Sequence, residues 1–282
     1  MVLSFVQGVL VALPGAIALP QVTRLRGRRW ALIPPLSVVG FVLIARAAER
    51  ASAQGLTYLA VCAVPVLAAL ALGWLLWRPR PRWALLVVPL FALAWLDRGG
   101  IAGETAALAL SGLSCVALGV LLASITPPRW LAAGVVAMAV ADSALVISDL
   151  LQRPNNALNA AHPAAGLPQL QSAVFGHAVM GYGDLFIAGA LGGLLAATVG
   201  RSLQLRAARL TAALALLFDL LFFVLNELPA TVPVACALIL VAFTRRREAS
   251  PQGRSAPAAV AQIASVGARA PRSAAVRRSP SP

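Results

Sequence analysis

Met180-Gly-Tyr-Gly-Asp-Leu-Phe186 places one carboxylate, Asp184, inside an apolar run from about Val174 to Gly200. The run is long enough to cross a bilayer, which takes about 20 apolar residues of helix. A charged group at that depth is costly, so it is by default a hypothesis of function. Gly181 and Gly183 flank the carboxylate, and glycine lets backbone, water or another chain approach closely. The significance of this stretch depends on whether a second carboxylate lies at the same depth.

The composition is that of a polytopic membrane protein. Of the 282 residues, 60% are hydrophobic and 11% are charged, and the mean hydropathy is +0.85, which is outside the range of soluble globular domains. All 23 basic residues are arginine, a bias that indicates a GC-rich genome, so the net charge of +14 does not by itself indicate nucleic-acid binding. We expect an integral protein of the bacterial cell membrane, with the lipid bilayer as a partner and no nucleic acid.

The apolar segments predict an all-α fold of nine transmembrane helices. The predicted spans are Val2–Leu19, Trp30–Ala48, Gly55–Trp77, Trp83–Leu96, Ile101–Ile125, Trp130–Leu151, Val174–Gly200, Ala208–Leu225 and Leu228–Phe243. They divide the chain into helices one to five over residues 1–127 and helices six to nine, with the candidate site, over residues 128–243. Residues 244–282 are rich in Arg, Ser, Ala and Pro, which predicts a basic, disordered cytosolic tail.

The distribution of arginines between the loops predicts the orientation. The connections between spans alternate between the two sides of the membrane. Those after the first, third, fifth, seventh and ninth spans hold fourteen arginines, with the last connection counted to Arg247, whereas those after the other spans hold four. Because positively charged loops stay in the cytoplasm, the N-terminus is predicted outside and the C-terminus inside. The three cysteines lie in apolar spans without the spacing of a disulfide or metal site, so we expect packing residues, no metal and no cofactor.

Depth selects the partner of Asp184. The sixth and seventh spans are antiparallel neighbours, and Asp142 is nine residues from the end of the sixth span while Asp184 is ten residues from the start of the seventh. At 1.5 Å per residue the two lie within roughly 2 Å of one level, and Asp149 lies roughly 12 Å higher. No arginine lies deep in these spans to neutralise the acids. The pattern therefore favours Asp142 and Asp184 as a catalytic pair, with one carboxylate activating water and the other protonating a peptide carbonyl.

The sixth, seventh and ninth spans together resemble the presenilin and signal peptide peptidase family of intramembrane aspartyl proteases. That family has an aspartate in the sixth span, a GxGD motif in the seventh and a PAL motif at the ninth. This chain has Asp142, Gly181-Tyr-Gly-Asp184 and Leu228-Pro-Ala-Thr-Val-Pro233 at these places, with Ala141 where the family usually has tyrosine and Thr231 where it has leucine. The resemblance covers about Trp130 to Phe243.

The resemblance implies an aspartic endopeptidase that cleaves transmembrane segments or signal peptides. The catalytic residues would be Asp142 and Asp184. The residues that shape the substrate site would be Gly181, Tyr182, Gly183, Pro229, Ala230 and Thr231. Prolines near a helix start also free backbone groups at the level where a substrate strand would pair. The partner is then a transmembrane peptide; the oligomeric state is not predicted.

Two other functions fit parts of the pattern. The stretch from Gly181 to Gly192 is also similar to the second aspartate motif of prepilin leader peptidases, in which Asp149 would be the first aspartate. That family usually has lysine where Phe186 stands. A cation-coupled transporter would use Asp142, Asp184 and Asp219, the last of which is predicted near mid-depth, to bind protons or ions. His177, seven residues before Asp184, is a candidate to tune it on a shared helix face.

Overall fold

The computed structural model describes residues 1–15, 26–47, 49–148, 166–223 and 229–249. These ranges are mostly helical, as predicted. The α-helices are α1 (Val2–Ala12), α2 (Ile33–Ala47), α3 (Glu49–Leu70), α4 (Val87–Leu96), α5 (Ile101–Ile125), α6 (Pro128–Ile147), α7 (Tyr182–Thr198), α8 (Arg201–Asp219) and α9 (Val232–Ala249). Shorter 3-10 helices cover Arg28–Leu32, Pro81–Leu86 and Leu220–Phe223, and a π-helical turn covers Ala71–Leu75.

Three helical segments in the described ranges are long and apolar enough to cross a membrane. They are Gln54–Leu75, Ile101–Ile125 and Pro128–Ile147, and four shorter apolar helices are Val2–Ala12, Pro81–Leu96, Tyr182–Thr198 and Val232–Arg245. The protein therefore has the helices of a membrane protein. The central one is α5, whose surface is covered by α7, α3 and α4.

The prediction of one continuous helix over Val174–Gly200 is wrong. Two antiparallel strands, β1 (Ser172–Phe175) and β2 (Ala178–Gly181), form a hairpin in which Ser172 pairs with Gly181, and α7 begins only at Tyr182. Gly176 has φ +60 in the two-residue turn, as turns that match the twist of a hairpin require. The Glu104 carboxylate accepts a hydrogen bond of 2.7 Å from the Gly176 amide and ties the turn to the first turn of α5.

Glycines allow α5 and α7 to cross in close contact. A Cβ atom on Gly119 would overlap the carbonyl group of Gly189, and a Cβ atom on Gly193 would lie 2.7 Å from the Gly119 oxygen. Small residues four positions apart, such as Gly189 and Gly193, bring helix backbones together in membranes. Since no larger side chain fits, this crossing fixes where α7 begins relative to α5.

The first predicted span is also different in the structure. Helix α1 ends at Ala12, and an extended segment follows in which the Gly15 amide donates to the Leu75 carbonyl and the Trp77 amide to the Leu13 carbonyl. The Gln204 side chain donates to the carbonyls of Val11 and Pro14 at 3.0 Å, and Arg201 donates to the Ala12 carbonyl. The polar start of α8 therefore satisfies the carbonyl groups at the end of α1.

The C-terminal helix differs from its predicted bounds as well. Helix α9 covers Val232–Ala249, so the first residues of the predicted disordered tail are helical, and residues 250–282 lie outside the described ranges. The chain from Met1 to Val241 forms one compact unit. The boundary predicted between residues 127 and 128 falls inside this unit.

Candidate active site

The two aspartates selected from the sequence lie on helices that pack together. Asp142 is in the second half of α6, where 8% of its surface is exposed. Asp184 is in the first turn of α7 and is partly exposed. Helices α6 and α7 are in contact, and the negative charge of Asp142 acts on the carboxylate of Asp184. The structure thus places two acids from different helices in one electrostatic site.

Thr231 orients the Asp142 carboxylate. Its hydroxyl is fully buried and donates a hydrogen bond of 2.7 Å to Asp142 Oδ2. A carboxylate oxygen held by a buried hydroxyl has a restricted orientation, and its remaining lone pairs stay available. Thr231, predicted to shape the site, therefore contacts one of the two acids directly.

The segment that carries Thr231 is held from its other side by α1. The Gln7 amide is 1% exposed and donates a hydrogen bond of 3.0 Å to the Ala230 carbonyl. Pro229 precedes it, and Thr231 comes one residue before α9. The predicted residues Pro229, Ala230 and Thr231 thus form a short connection whose backbone is tied to α1 and whose side chain is tied to α6.

Tyr182 opens α7, and its hydroxyl lies against α5. The oxygens of Tyr182 and Ser114 are 2.6 Å apart. Since the Ser114 hydroxyl donates its single proton to the Ser111 carbonyl at 2.7 Å, Tyr182 is the donor to Ser114. The Cys115 thiol also faces the Tyr182 carbonyl at 3.8 Å. These contacts fix the start of α7, and substrate binding by Tyr182 stays a prediction.

The two glycines of the motif allow close approach beside Asp184. A Cβ atom on Gly183 would lie 3.3 Å from Met138 Cε on α6, and one on Gly181 would lie 3.2 Å from Asp184 Oδ2. Gly181 is the N-cap of α7, and Asp184 lies in the first turn of that helix. A carboxylate in the first turn also stabilises the positive end of the helix dipole.

The remaining candidate residues from the sequence are Asp219, His177 and Asp149. Asp219 is the last residue of α8, where its carboxylate accepts from Ser4 at 2.6 Å and pairs with the Met1 ammonium at 2.8 Å. The chain continues as the 3-10 helix Leu220–Phe223, and the position of Asp219 near mid-depth of a span stays a prediction. His177 is in the hairpin turn, so it does not share a helix face with Asp184. Asp149 lies outside the described residues.

Several contacts that build the site were not predicted from the sequence. Ser111 donates to the Leu170 carbonyl at 3.0 Å and Ser114 receives Tyr182, so these two serines anchor the chain on both sides of the hairpin. In the sequence, these contacts are indicated by two hydroxyl residues, three positions apart, on one face of the apolar middle of α5. The hairpin is indicated in the sequence by Gly176, because glycine is favoured as the first residue of a two-residue hairpin turn such as Gly176-His177.

Compared with family models, with curated proteins and with solved structures, the chain shows no match. Among the residues that the structure describes, no three His, Cys, Asp or Glu side chains are grouped to hold a metal ion. The function therefore has to be argued from the site itself.

The contact between Thr231 and Asp142 makes a prediction. A Thr231→Val change keeps the shape but removes the hydroxyl, and a hydrogen bond to a charged group is worth about 1.5–3 kcal/mol. We expect the Thr231→Val variant to be less stable by about this amount and to melt at a lower temperature, whereas Thr231→Ser keeps most of the stability. Equal melting temperatures of the valine and serine variants would show that the hydroxyl does not hold Asp142.

Proposed function

We propose that this protein is an intramembrane aspartyl protease that hydrolyses peptide bonds of transmembrane segments or signal peptides. The observation that carries the proposal is the approach of Asp142 and Asp184 from two packed helices, close enough for their charges to interact. Two carboxylates that approach one another in an apolar site favour a state in which one is protonated and the other ionised, because both cannot ionise together at low cost. This arrangement supplies an acid and a base within one site.

The chemistry follows from that unequal protonation. The ionised carboxylate takes a proton from a water molecule, and the resulting hydroxide attacks the peptide carbonyl carbon. The protonated carboxylic acid donates to the carbonyl oxygen and gives a tetrahedral diol. Collapse of the diol breaks the C–N bond as the amine leaves with a proton. Because Thr231 holds Asp142 in one orientation, the acid and base are set before substrate binds.

The hairpin offers a place for the substrate backbone. Within the described residues β2 pairs only with β1, so its other edge has unpaired backbone groups. The side chains of β2 are largely exposed, and the strand ends at Gly181, three residues before Asp184. An extended peptide added to this edge would present its amide bonds next to the carboxylates, whereas a helical peptide keeps them shielded.

The proposed topology has nine transmembrane helices, with the N-terminus outside and the C-terminus in the cytoplasm. The loop arginines support this orientation. Reporter fusions after Arg82 and Arg206 are expected to be cytoplasmic, and fusions within residues 152–172 are expected to be external. Fusions with the reverse pattern would overturn the orientation and leave the aspartate pair untouched.

Peptide cleavage tests the proposed function directly. Purified protein in detergent is expected to cut a model transmembrane peptide, and a hydroxyl-containing transition-state analogue is expected to block the reaction. Cleavage confined to peptides with a prepilin-type leader would favour a prepilin leader peptidase. Ion-dependent uptake into liposomes without any cleavage would instead show the cation-coupled transporter.

A further inference from the structure

One end of the helical bundle carries a group of exposed arginines that the proposed function does not use. Arg26, Arg28 and Arg29 lie at and before the 3-10 helix Arg28–Leu32, and Arg129 lies at the start of α6. The two segments are joined, since the Gly27 amide donates to the Ile125 carbonyl at 2.9 Å. These four residues are called the arginine patch below.

The patch has no acidic counterpart. Neither residues 26–36 nor residues 125–141 contain Asp or Glu. None of the four guanidinium groups has a carboxylate partner among the residues described by the structure. Four like charges on two joined segments repel one another, and an anion that binds between them relieves this repulsion.

Two of the arginines make cation–π contacts with tryptophan rings. The guanidinium of Arg29 lies 5.6 Å from the centre of the Trp30 ring, and that of Arg129 lies 6.0 Å from the Trp130 ring. Trp130 remains 39% exposed. Tryptophan is enriched at the level of lipid headgroups, where one side of its ring meets hydrocarbon and the other meets water. The arginine patch therefore has the residue types of a surface that lies at the membrane–water interface.

The surface next to the patch is apolar. Leu32, at the end of the 3-10 helix, is 55% exposed, and Ile33 and Leu36, at the start of α2, are 38% and 59% exposed. A cationic patch that continues into an exposed apolar face matches a molecule with an anionic head and a hydrocarbon chain. Nucleic acid offers the phosphate but nothing for the apolar face.

We propose that the arginine patch is a binding site for anionic phospholipid, with the phosphate between the guanidinium groups and an acyl chain along the exposed face of α2. The site needs neither the proposed protease activity nor a particular orientation, because it requires only that this end of the bundle meets a leaflet with anionic lipid. It connects the lipid to the helix that carries Asp142, since Arg129 and Trp130 begin α6.

Lipid titration of the detergent-solubilised full chain tests the site. We expect native mass spectrometry to show retained dioleoylphosphatidylglycerol and little dioleoylphosphatidylcholine, with binding that weakens as salt rises. The variant with Arg28→Gln, Arg29→Gln and Arg129→Gln is expected to bind phosphatidylglycerol about tenfold more weakly or worse. Arg98→Gln is the matched control, because Arg98 also stacks on a tryptophan, Trp95, but lies beside Asp97.

Three outcomes would overturn the proposal. They are equal retention of the two lipids by the unchanged protein, unchanged phosphatidylglycerol binding in the triple variant, and a loss as large in Arg98→Gln as in the triple variant. Displacement of the lipid by millimolar inorganic phosphate at constant ionic strength would also overturn the proposal, because it would identify a phosphate site without lipid selectivity. The comparison of the two lipids on the unchanged protein does not depend on whether the triple variant folds.

Discussion

Replacing either Asp142 or Asp184 with asparagine is expected to abolish peptide cleavage while leaving the protein folded. The amide keeps the volume of the carboxylate but neither takes a proton from water nor supplies one to the peptide carbonyl. Positioned acids and bases each contribute about 10²- to 10⁴-fold to a rate, so each single variant should lose at least this factor. Because the two groups act as a unit, the double variant should be little worse than either single one.

Asp219→Asn is the matched control, since Asp219 is a partly buried acid at the end of α8 that contacts Ser4 and the N-terminus. It should keep the activity of the unchanged protein. Asp149→Asn should also retain most activity, because the pair requires Asp142. An inactive Asp149→Asn variant together with an active Asp142→Asn variant would contradict this assignment and favour the prepilin leader peptidase. Cleavage rates and circular dichroism of all five variants, including the double one, measure both parts of the prediction.

The second large effect is expected at the crossing of α5 and α7. Gly119→Ala places a methyl group onto the Gly189 carbonyl, and backbone cannot move aside as a flexible side chain can. Overpacking costs about 1–3 kcal/mol and occasionally more, and we expect about 3 kcal/mol or more here. The α7 start would also shift relative to α6, so turnover should fall even at temperatures where the variant remains folded.

Gly40→Ala is the matched control for this change. Gly40 is also within a helix, α2, but a Cβ atom there meets nothing within 4 Å. Alanine is the better helix former by roughly 0.5–1 kcal/mol, so the control should be as stable as the unchanged protein or slightly more. A thermal melt that finds Gly119→Ala as stable as Gly40→Ala would disprove the close crossing.

The residue types and the apolar periods were sufficient to predict the helical segments α5 and α6, while the choice of Asp142 and Asp184 as the functional pair stays a prediction. Helix α5 has the bounds predicted from its hydropathy, Ile101–Ile125. The two aspartates were selected because they are the acids without arginines at similar depth, and the structure brings their charges into interaction. Long apolar runs and charges within them can be recognised from the sequence, because the free energy of placing each residue in a membrane depends mainly on its own type.

Tertiary contacts decided the rest of the site. The run from Val174 is apolar enough for either a strand or a helix, and the contacts of Gly176 with Glu104 and of Leu170 with Ser111 select the hairpin. The depth argument assumed helical rise from Val174 to Asp184, and only the packing of α6 on α7 sets the actual approach of the carboxylates. The hydrogen bond from Thr231 to Asp142 joins residues 89 positions apart. Such long-range contacts cannot be predicted from local sequence patterns, because they form and stabilise the protein only after the helices have packed.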